Sequence, residues 1–184
     1  LRANLVTLHG LLRLMLTSSQ AGHGTVNQLT PTEEADLDQA LIDTYARAGI
    51  TSDPLTHQST PPTIANLYDT LLHMGGTGPN LAQRLRKYTT GTFAGIFSQQ
   101  SNVNINNQMI VFNIRDLEDE LRPVAMYIVL SHIWNTVRAE QKRRLLIVDE
   151  AWQLMQYEDS ANFLFSLAKR ARKYYLGLTT ITQD

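Results

Sequence analysis

The feature that most constrains the fold is a run of four apolar residues that ends in two acids, Leu-Leu-Ile-Val-Asp-Glu at 145–150. A short apolar run of this kind is typical of a buried strand, and a second run, rich in β-branched residues, follows at 176–182. Between them, residues 163–171 have the apolar spacing of a helix. A strand, a helix and a strand in this order predict two parallel strands of an α/β sheet, whose ligands bind at the carboxyl ends of the strands.

The sequence upstream of this unit predicts one more strand and one long helix. The apolar run at 109–114 has the length of a strand, and residues 122–138 have helical periodicity. Strands that are apolar along their whole length indicate a parallel sheet covered on both faces. The inner face of the long helix is predicted to carry four residues, Val124, Ile128, Trp134 and Val137.

The first half of the chain has the pattern of several helices. Leucines recur at helical spacing in residues 5–16, and Thr30-Pro31-Thr32-Glu33 is a capping box with proline at the first helical position. Pro61-Pro62-Thr63 predicts the start of a third helix, and the glycine-rich residues 75–79 separate it from a short fourth. We therefore expect a mostly α-helical subdomain at 1–90 and an α/β portion at 91–184.

Composition excludes several kinds of site. The chain has no cysteine, so it forms neither disulfides nor thiolate zinc sites, and its five histidines lack paired ligand spacing. Sixteen basic against seventeen acidic residues give a net charge of -1, so no broad positive field attracts polyanions to the whole surface. The sequence begins at Leu1, inside a helical pattern, which suggests a piece of a longer protein.

The two adjacent carboxylates at the end of the first strand form a Walker B arrangement. Magnesium is a hard cation that favours oxygen ligands and keeps several waters, so Asp149 is predicted to bind Mg²⁺ through water. Phosphoryl transfer to water also needs a group that orients and deprotonates the attacking water, and Glu150 is placed for that role. The six residues alone leave open a second interpretation, in which a strand simply ends in two solvated acids.

Polar residues near the next strand extend the candidate site. Gln183 ends that strand, and a parallel neighbour would bring its amide beside the carboxylates, where it could bind the attacking water or a γ-phosphate. Arg170 and Arg172 lie on the helix between the strands and could stabilise transferring charge. The alternatives are an ordinary polar strand end and a basic helix C-terminus favoured by the helix dipole.

Longer segments resemble a known family. LLIVDEAWQLM at 145–155 and FLFSLAKRARKYYLGLTTITQD at 163–184 resemble the VirB4, TrbE and TraC ATPases of conjugative and type IV secretion systems, which belong to the HerA/FtsK group of P-loop motors. The segment at 91–134 is similar to the part of that family that precedes Walker B, and helices upstream of it are also a family feature.

This resemblance implies a RecA-like P-loop NTPase core preceded by a helical subdomain, with ATP and Mg²⁺ as cofactors. It assigns Asp149 to magnesium, Glu150 to catalysis and Gln183 to sensing of the γ-phosphate. In FtsK-like relatives an arginine eleven residues before the sensor is a trans-acting finger, a spacing that selects Arg172, with Arg170 as the fallback.

The resemblance also implies partners and a location. It predicts self-association into an oligomer such as a hexamer, contacts with other secretion-system components, and a DNA or protein substrate. The expected location is the bacterial cytoplasm, at the cytoplasmic face of the inner or plasma membrane, with peripheral attachment through the apparatus.

The sequence departs from the family at one motif. The phosphate-binding loop, GxxGxGK followed by Ser or Thr, is expected upstream of this region, yet Gly-Lys occurs nowhere in the 184 residues. The chain alone is therefore expected to be inactive. Three other functions stay open: a DEAD-type helicase, a DNA translocase of the FtsK kind, and a non-enzymatic helical interaction module.

Overall fold

In the computed structural model, residues 2–18, 28–100, 107–155 and 158–182 are described. The chain divides into two compact units, Leu1–Met109 and Ile110–Asp184. No helix in the described ranges is both long and apolar enough to cross a membrane.

The first unit is built from helices. In order, they are α1 (Arg2–Ser18), α2 (Pro31–Arg47), a short 3-10 helix (Pro54–Gln58), α3 (Ile64–Leu72), α4 (Gly78–Thr89) and α5 (Ala94–Phe97). The predicted capping box is confirmed, because the backbone N–H of Glu33 donates to Thr30 Oγ1 at 3.2 Å and that of Thr30 donates to Glu33 Oε2 at 2.8 Å. The core of the unit contains leucines from four helices together with Tyr88, which is fully buried.

Polar contacts between helices fix the packing of this unit. Arg84 on α4 donates to Glu33 on α2 at 2.8 Å and to the carbonyl of Leu16 at the end of α1 at 3.0 Å. Both charged side chains are largely buried, at 13% and 14% exposure, so this ion pair is shielded from water. Asp36 on α2 accepts bonds from the backbone N–H and the hydroxyl of Thr77, at 2.9 and 2.6 Å. The carboxylate of one helix thus caps the start of another.

The second unit has a parallel two-stranded sheet with helices on one side. Its elements are α6 (Arg122–Ala139), β1 (Arg144–Val148), α7 (Ala151–Met155), α8 (Glu158–Ala171), a 3-10 turn (Arg172–Tyr174) and β2 (Leu176–Thr180). The strands pair in parallel register from Arg144 opposite Leu176 to Val148 opposite Thr180. The predicted strand–helix–strand order and the parallel pairing are confirmed.

Two hydrophobic clusters hold the helices against one face of this sheet. Near the amino-terminal ends of the strands, Val137 of α6 packs with Leu167 and Ala171 of α8 and with Leu176 of β2. Near the carboxyl ends, Val148, Ala151 and Leu164 form a second cluster. The opposite face presents Leu145 and Ile147, which are 66% and 56% exposed. We expected both faces of the sheet to be covered. Within the described residues, helices cover only one face.

The prediction of a strand at 109–114 is wrong. Residues 110–114 form no strand, and Val111 is 75% exposed. Apolar residues adopt a strand only where another strand supplies hydrogen bonds, and within the described residues β1 and β2 pair only with each other.

The predicted long helix is confirmed, but one residue that was predicted on its inner face is not buried. Val124 and Val137 are buried and Trp134 packs against the cluster of Val137, as expected. Ile128 is 39% exposed, whereas Met126 and Leu130 are buried instead. A helix buries the residues that its neighbours cover, and in this helix the covered face is wider than one apolar stripe.

Candidate active site

The carboxyl ends of the two strands are joined by backbone hydrogen bonds beyond the sheet. The N–H of Ile181 donates to the carbonyl of Val148 at 2.9 Å, and the N–H of Ala151 donates to the carbonyl of Ile181 at 3.0 Å. Ile181 therefore bonds to the chain on both sides of Asp149 and Glu150. The segment that follows β2 and the acidic turn that follows β1 lie at the same edge of the sheet.

The acidic turn has an unusual backbone. Glu150 has a φ of 51°, in the left-handed region, which costs a residue other than glycine about 1–2 kcal/mol. Its N–H donates to Asp149 Oδ1 at 3.0 Å. Asp149 is exposed and Glu150 is half-buried, so water reaches both carboxylates. Strained backbone of this kind persists only where the surrounding structure holds it in place, and it is frequent at functional sites.

Buried apolar residues supply that support. Val148, directly before the acids, is 8% exposed, and Ala151, directly after them, is 3% exposed. Both pack with Leu164 of α8, and Leu146 and Leu178 lie against the same cluster. Since the residues on both sides are fixed, the two carboxylates have little freedom to leave the edge of the sheet.

The side chains present fit a hydrated magnesium ion better than one bound entirely by protein. In the described part of the chain, no group of three or more histidine, aspartate or glutamate residues is placed to hold a metal. Asp149 is exposed and uses one carboxylate oxygen for the N–H of Glu150, which leaves its second oxygen for the water shell of a cation. Mg²⁺ usually keeps several waters and takes only one or two carboxylates, together with phosphate oxygens.

Gln183, the predicted sensor, lies outside the described residues. The described chain reaches Thr182, one residue after Ile181, whose backbone bonds to Val148 and Ala151. The placement of the amide beside the carboxylates stays a prediction.

The two candidate arginines lie at the other end of the sheet. Arg172 is exposed and begins the 3-10 turn that leads into β2. A strand of five residues, at roughly 3.3 Å per residue, separates that end from the acidic turn by about 16 Å. Arg170 is also exposed, and its guanidinium lies 5.8 Å from the ring centroid of Trp134. The structure therefore does not bring either arginine together with Asp149 and Glu150 of the same copy.

One residue of this site was missed at the sequence level. The indole Nε1–H of Trp152, on α7, donates to Glu150 Oε2. In the sequence this tryptophan lies two residues after the predicted base. The contact between the two side chains was not predictable, because it depends on the left-handed backbone of Glu150. Trp152 is 44% exposed, so it is not a core residue.

Parallel strands joined by a helical crossover, with two acids following the first strand, occur in the cores of P-loop NTPases, one class of open α/β fold that binds ligands at the carboxyl ends of its strands. A family model described as the TraG P-loop domain matches residues 79–184, and the chain belongs to this family.

A comparison with solved structures gives a consistent result. The structure of VirB4 of Thermoanaerobacter pseudethanolicus matches the whole chain with a TM-score of 0.80 and 29% sequence identity. The chain spans 50% of the length of that structure. A comparison with curated proteins found no match.

Proposed function

We propose that the intact protein is an ATP-hydrolysing motor that powers type IV secretion, conjugative transfer or pilus assembly. The observation that carries this proposal is the meeting of the two strand ends, where Ile181 bonds to Val148 and Ala151 on either side of the two acids. Membership of the TraG P-loop domain family and the similarity to VirB4 support it. The proposed location is the cytoplasmic face of a bacterial membrane.

In this proposal each acid has a separate task. Asp149, which is exposed, would hold Mg²⁺ through water, and the bound ion would supply positive charge that offsets the charge of the ATP phosphates. Glu150, which is half-buried and fixed by its backbone, orients and deprotonates the attacking water. Gln183 follows the segment bonded to this turn and senses the γ-phosphate through its amide.

Arg172 is proposed to act on the nucleotide of a neighbouring copy. The length of β2, roughly 16 Å, separates it from the acidic turn of its own copy, which is more than an arginine side chain can reach. A head-to-tail arrangement would bring its end of the sheet to the acidic edge of the next copy, and repetition of that contact closes a ring such as a hexamer. The other proposed partners are secretion-system components and a DNA or protein substrate.

The 184 residues alone are proposed to be inactive. They contain no Gly-Lys, so the backbone amides and the lysine of a phosphate-binding loop are missing from this sequence. Hydrolysis is therefore to be measured in the intact protein.

The substitution Glu150→Gln in the intact protein tests the proposal. The amide cannot take a proton from water, so ATP turnover should fall by about 10²–10⁴-fold while ATP binding is retained. Glu118→Gln is the matched control, because Glu118 is an exposed acid of the same unit that has no role in the proposed site, and it should leave turnover unchanged. Unchanged turnover in Glu150→Gln would show that the base is wrongly assigned.

A further inference from the structure

Trp152 makes a specific polar contact with the proposed base. Its indole Nε1–H donates to Glu150 Oε2, and an indole nitrogen can only donate. The residue is 44% exposed, so burial of apolar surface accounts for only part of its position. A hydrogen bond from a neutral donor to an ionised carboxylate is stronger than one between two neutral groups.

The backbone between the two residues is fixed by the sheet. Ala151 separates Glu150 from Trp152, is 3% exposed, and donates its N–H to the carbonyl of Ile181 at 3.0 Å. The N–H of Glu150 is held by Asp149 Oδ1 at 3.0 Å. The residue between Glu150 and Trp152 is thus bonded to the segment that follows β2, at the edge of the sheet that forms the candidate site.

We propose that Trp152 is a positioning residue for the carboxylate of Glu150. This inference rests on the proposed function. The indole occupies Oε2, which restricts rotation of the carboxylate and leaves Oε1 as the oxygen that meets the attacking water. In the hydrolysis step the water oxygen bonds to the γ-phosphorus and one water proton moves to Oε1. The bond from the γ-phosphorus to the bridging oxygen breaks, and ADP leaves with the electron pair.

A kinetic comparison in the intact protein tests the positioning role. Trp152→Phe keeps an aromatic ring but removes the N–H, so the carboxylate regains its rotation. We expect kcat to fall by about 10–100-fold, with KM for ATP and the melting temperature unchanged, since misplacement of a reacting group affects the chemical step. Trp152→His keeps a ring N–H and should restore part of kcat. A loss of kcat that is matched by a loss of thermal stability, or an unchanged kcat in Trp152→Phe, would overturn the proposal.

A measurement that needs no hydrolysis tests the contact itself. In the ¹H–¹⁵N NMR spectrum of the intact protein, the indole N–H signal of Trp152 is identified as the one that Trp152→Phe removes. A hydrogen bond to a carboxylate shifts an indole proton downfield. Glu150→Ala should therefore move the Trp152 proton upfield, toward the position of a solvated indole, while Glu118→Ala should leave it in place.

The two measurements separate this inference from the proposed function. If the indole proton does not respond to Glu150→Ala, the contact is absent and the positioning role is overturned, whatever the kinetics of Glu150→Gln. If the indole proton responds but Glu150→Gln leaves turnover intact, Glu150 is not the base and the proposed function of this site is wrong. A role for Trp152 requires the NMR shift, the loss of turnover in Glu150→Gln and the loss of kcat in Trp152→Phe.

Discussion

Glu150 and Tyr175 are the residues other than glycine with a positive φ in the described part of the chain, at 51° and 55°. Both lie at an end of the parallel sheet: Glu150 follows β1 and Tyr175 precedes β2. At each of them a left-handed residue turns the chain between a strand and a helical segment. The strain at Glu150 coincides with proposed chemistry, whereas the strain at Tyr175 lies in a structural turn.

Replacement of Tyr175 by glycine should stabilise the protein. The side chain is 58% exposed and so contributes little packing, whereas glycine adopts a positive φ without steric cost. Relief of the backbone strain should raise the free energy of unfolding, and the greater flexibility of glycine in the unfolded chain should offset part of this gain. The net increase should be about 0.5–1 kcal/mol. Urea unfolding followed by circular dichroism measures the change.

The neighbouring tyrosine provides the control. Tyr174 lies in the 3-10 turn, and its ring centroid is 5.3 Å from that of Trp134. Tyr174→Gly should therefore destabilise the protein. If both glycine variants lowered stability, the left-handed backbone at Tyr175 would not be a source of strain.

At the scale of elements, the connection between α3 and α4 depends on one glycine. Gly76 has a φ of +66°, and a Cβ added there would lie 2.8 Å from Asp36 Oδ2, the oxygen that caps α4 through Thr77. Any larger residue at this position must both adopt a strained backbone and displace the carboxylate of Asp36.

Gly76→Ala should therefore lower the stability of the helical unit, by about 1–3 kcal/mol. Gly75→Ala is a matched control, since a Cβ at Gly75 meets no atom within 4 Å and its φ is not positive. Thermal unfolding of the two variants should differ clearly. Equal melting temperatures would contradict the close approach of Asp36 to Gly76.

Acid should weaken the same unit through two carboxylates. The backbone N–H of Thr30 lowers the pKa of Glu33, with further lowering by its hydroxyl and by Arg84, although burial opposes the shift. The hydroxyl of Thr77, followed by its backbone N–H, lowers the pKa of Asp36. Because both pKa values are lower in the folded state, the stabilisation is complete above the ordinary values of 4.5 and 3.8 and is lost as the pH falls through the folded pKa values.

Asp36→Asn should make stability less dependent on pH in this range. The amide oxygen still accepts a bond from Thr77, but it does not titrate. The free energy of unfolding, measured between pH 6 and 3 by urea titration, should fall less steeply in the variant than in the wild type. Parallel slopes would show that the lowered pKa of Asp36 is not coupled to folding.

The sequence predicted a feature correctly where the interacting residues lie close together along the chain. The capping box at Thr30 was predictable because both partners lie within four residues of each other. The strand at 109–114 was not, since a strand forms only with a partner that the pattern does not identify. Ile128 was misplaced for a related reason: periodicity marks a candidate buried face, but the packing helices decide which residues are covered.

At the scale of the whole molecule, the net charge of -1 hides an asymmetry in the second unit. Half of the sixteen Lys and Arg residues lie at 138–144 and 169–173, at or shortly before the start of the two strands. Asp149 and Glu150 lie at the opposite ends of the strands. One end of the sheet is thus basic and the other acidic, a distribution that fits the head-to-tail arrangement proposed above.

The candidate site could be predicted from the sequence only in part. A buried strand that ends in Asp149 and Glu150 and a parallel neighbour were both foreseeable, because the apolar runs and their order identify them. The left-handed backbone of Glu150 and its bond to Trp152 were not, since they depend on how the turn is anchored to Ile181. The distance between Arg172 and the acids followed only once the strand register was known.

This separation leads to a test of the proposed ring. Glu150→Gln and Arg172→Ala should each lower ATP turnover in the intact protein by at least about 10²-fold. If the site is shared between copies, a mixed assembly contains interfaces in which an Arg172→Ala copy supplies Glu150 and a Glu150→Gln copy supplies Arg172. Random mixing in equal amounts gives roughly a quarter of such interfaces in a head-to-tail ring, so turnover should recover on mixing the two variants.

The recovery should depend on exchange of copies between assemblies. Proteins mixed before assembly should regain activity, whereas the same proteins assembled separately and then combined without exchange should not. The same experiment with Arg170→Ala in place of Arg172→Ala distinguishes the two candidate arginines. Arg170 is the weaker candidate, because its guanidinium lies over the ring of Trp134 in its own copy. If mixed assemblies form but no combination recovers turnover, Arg172 does not act across the interface, and its exposed position before β2 needs another explanation.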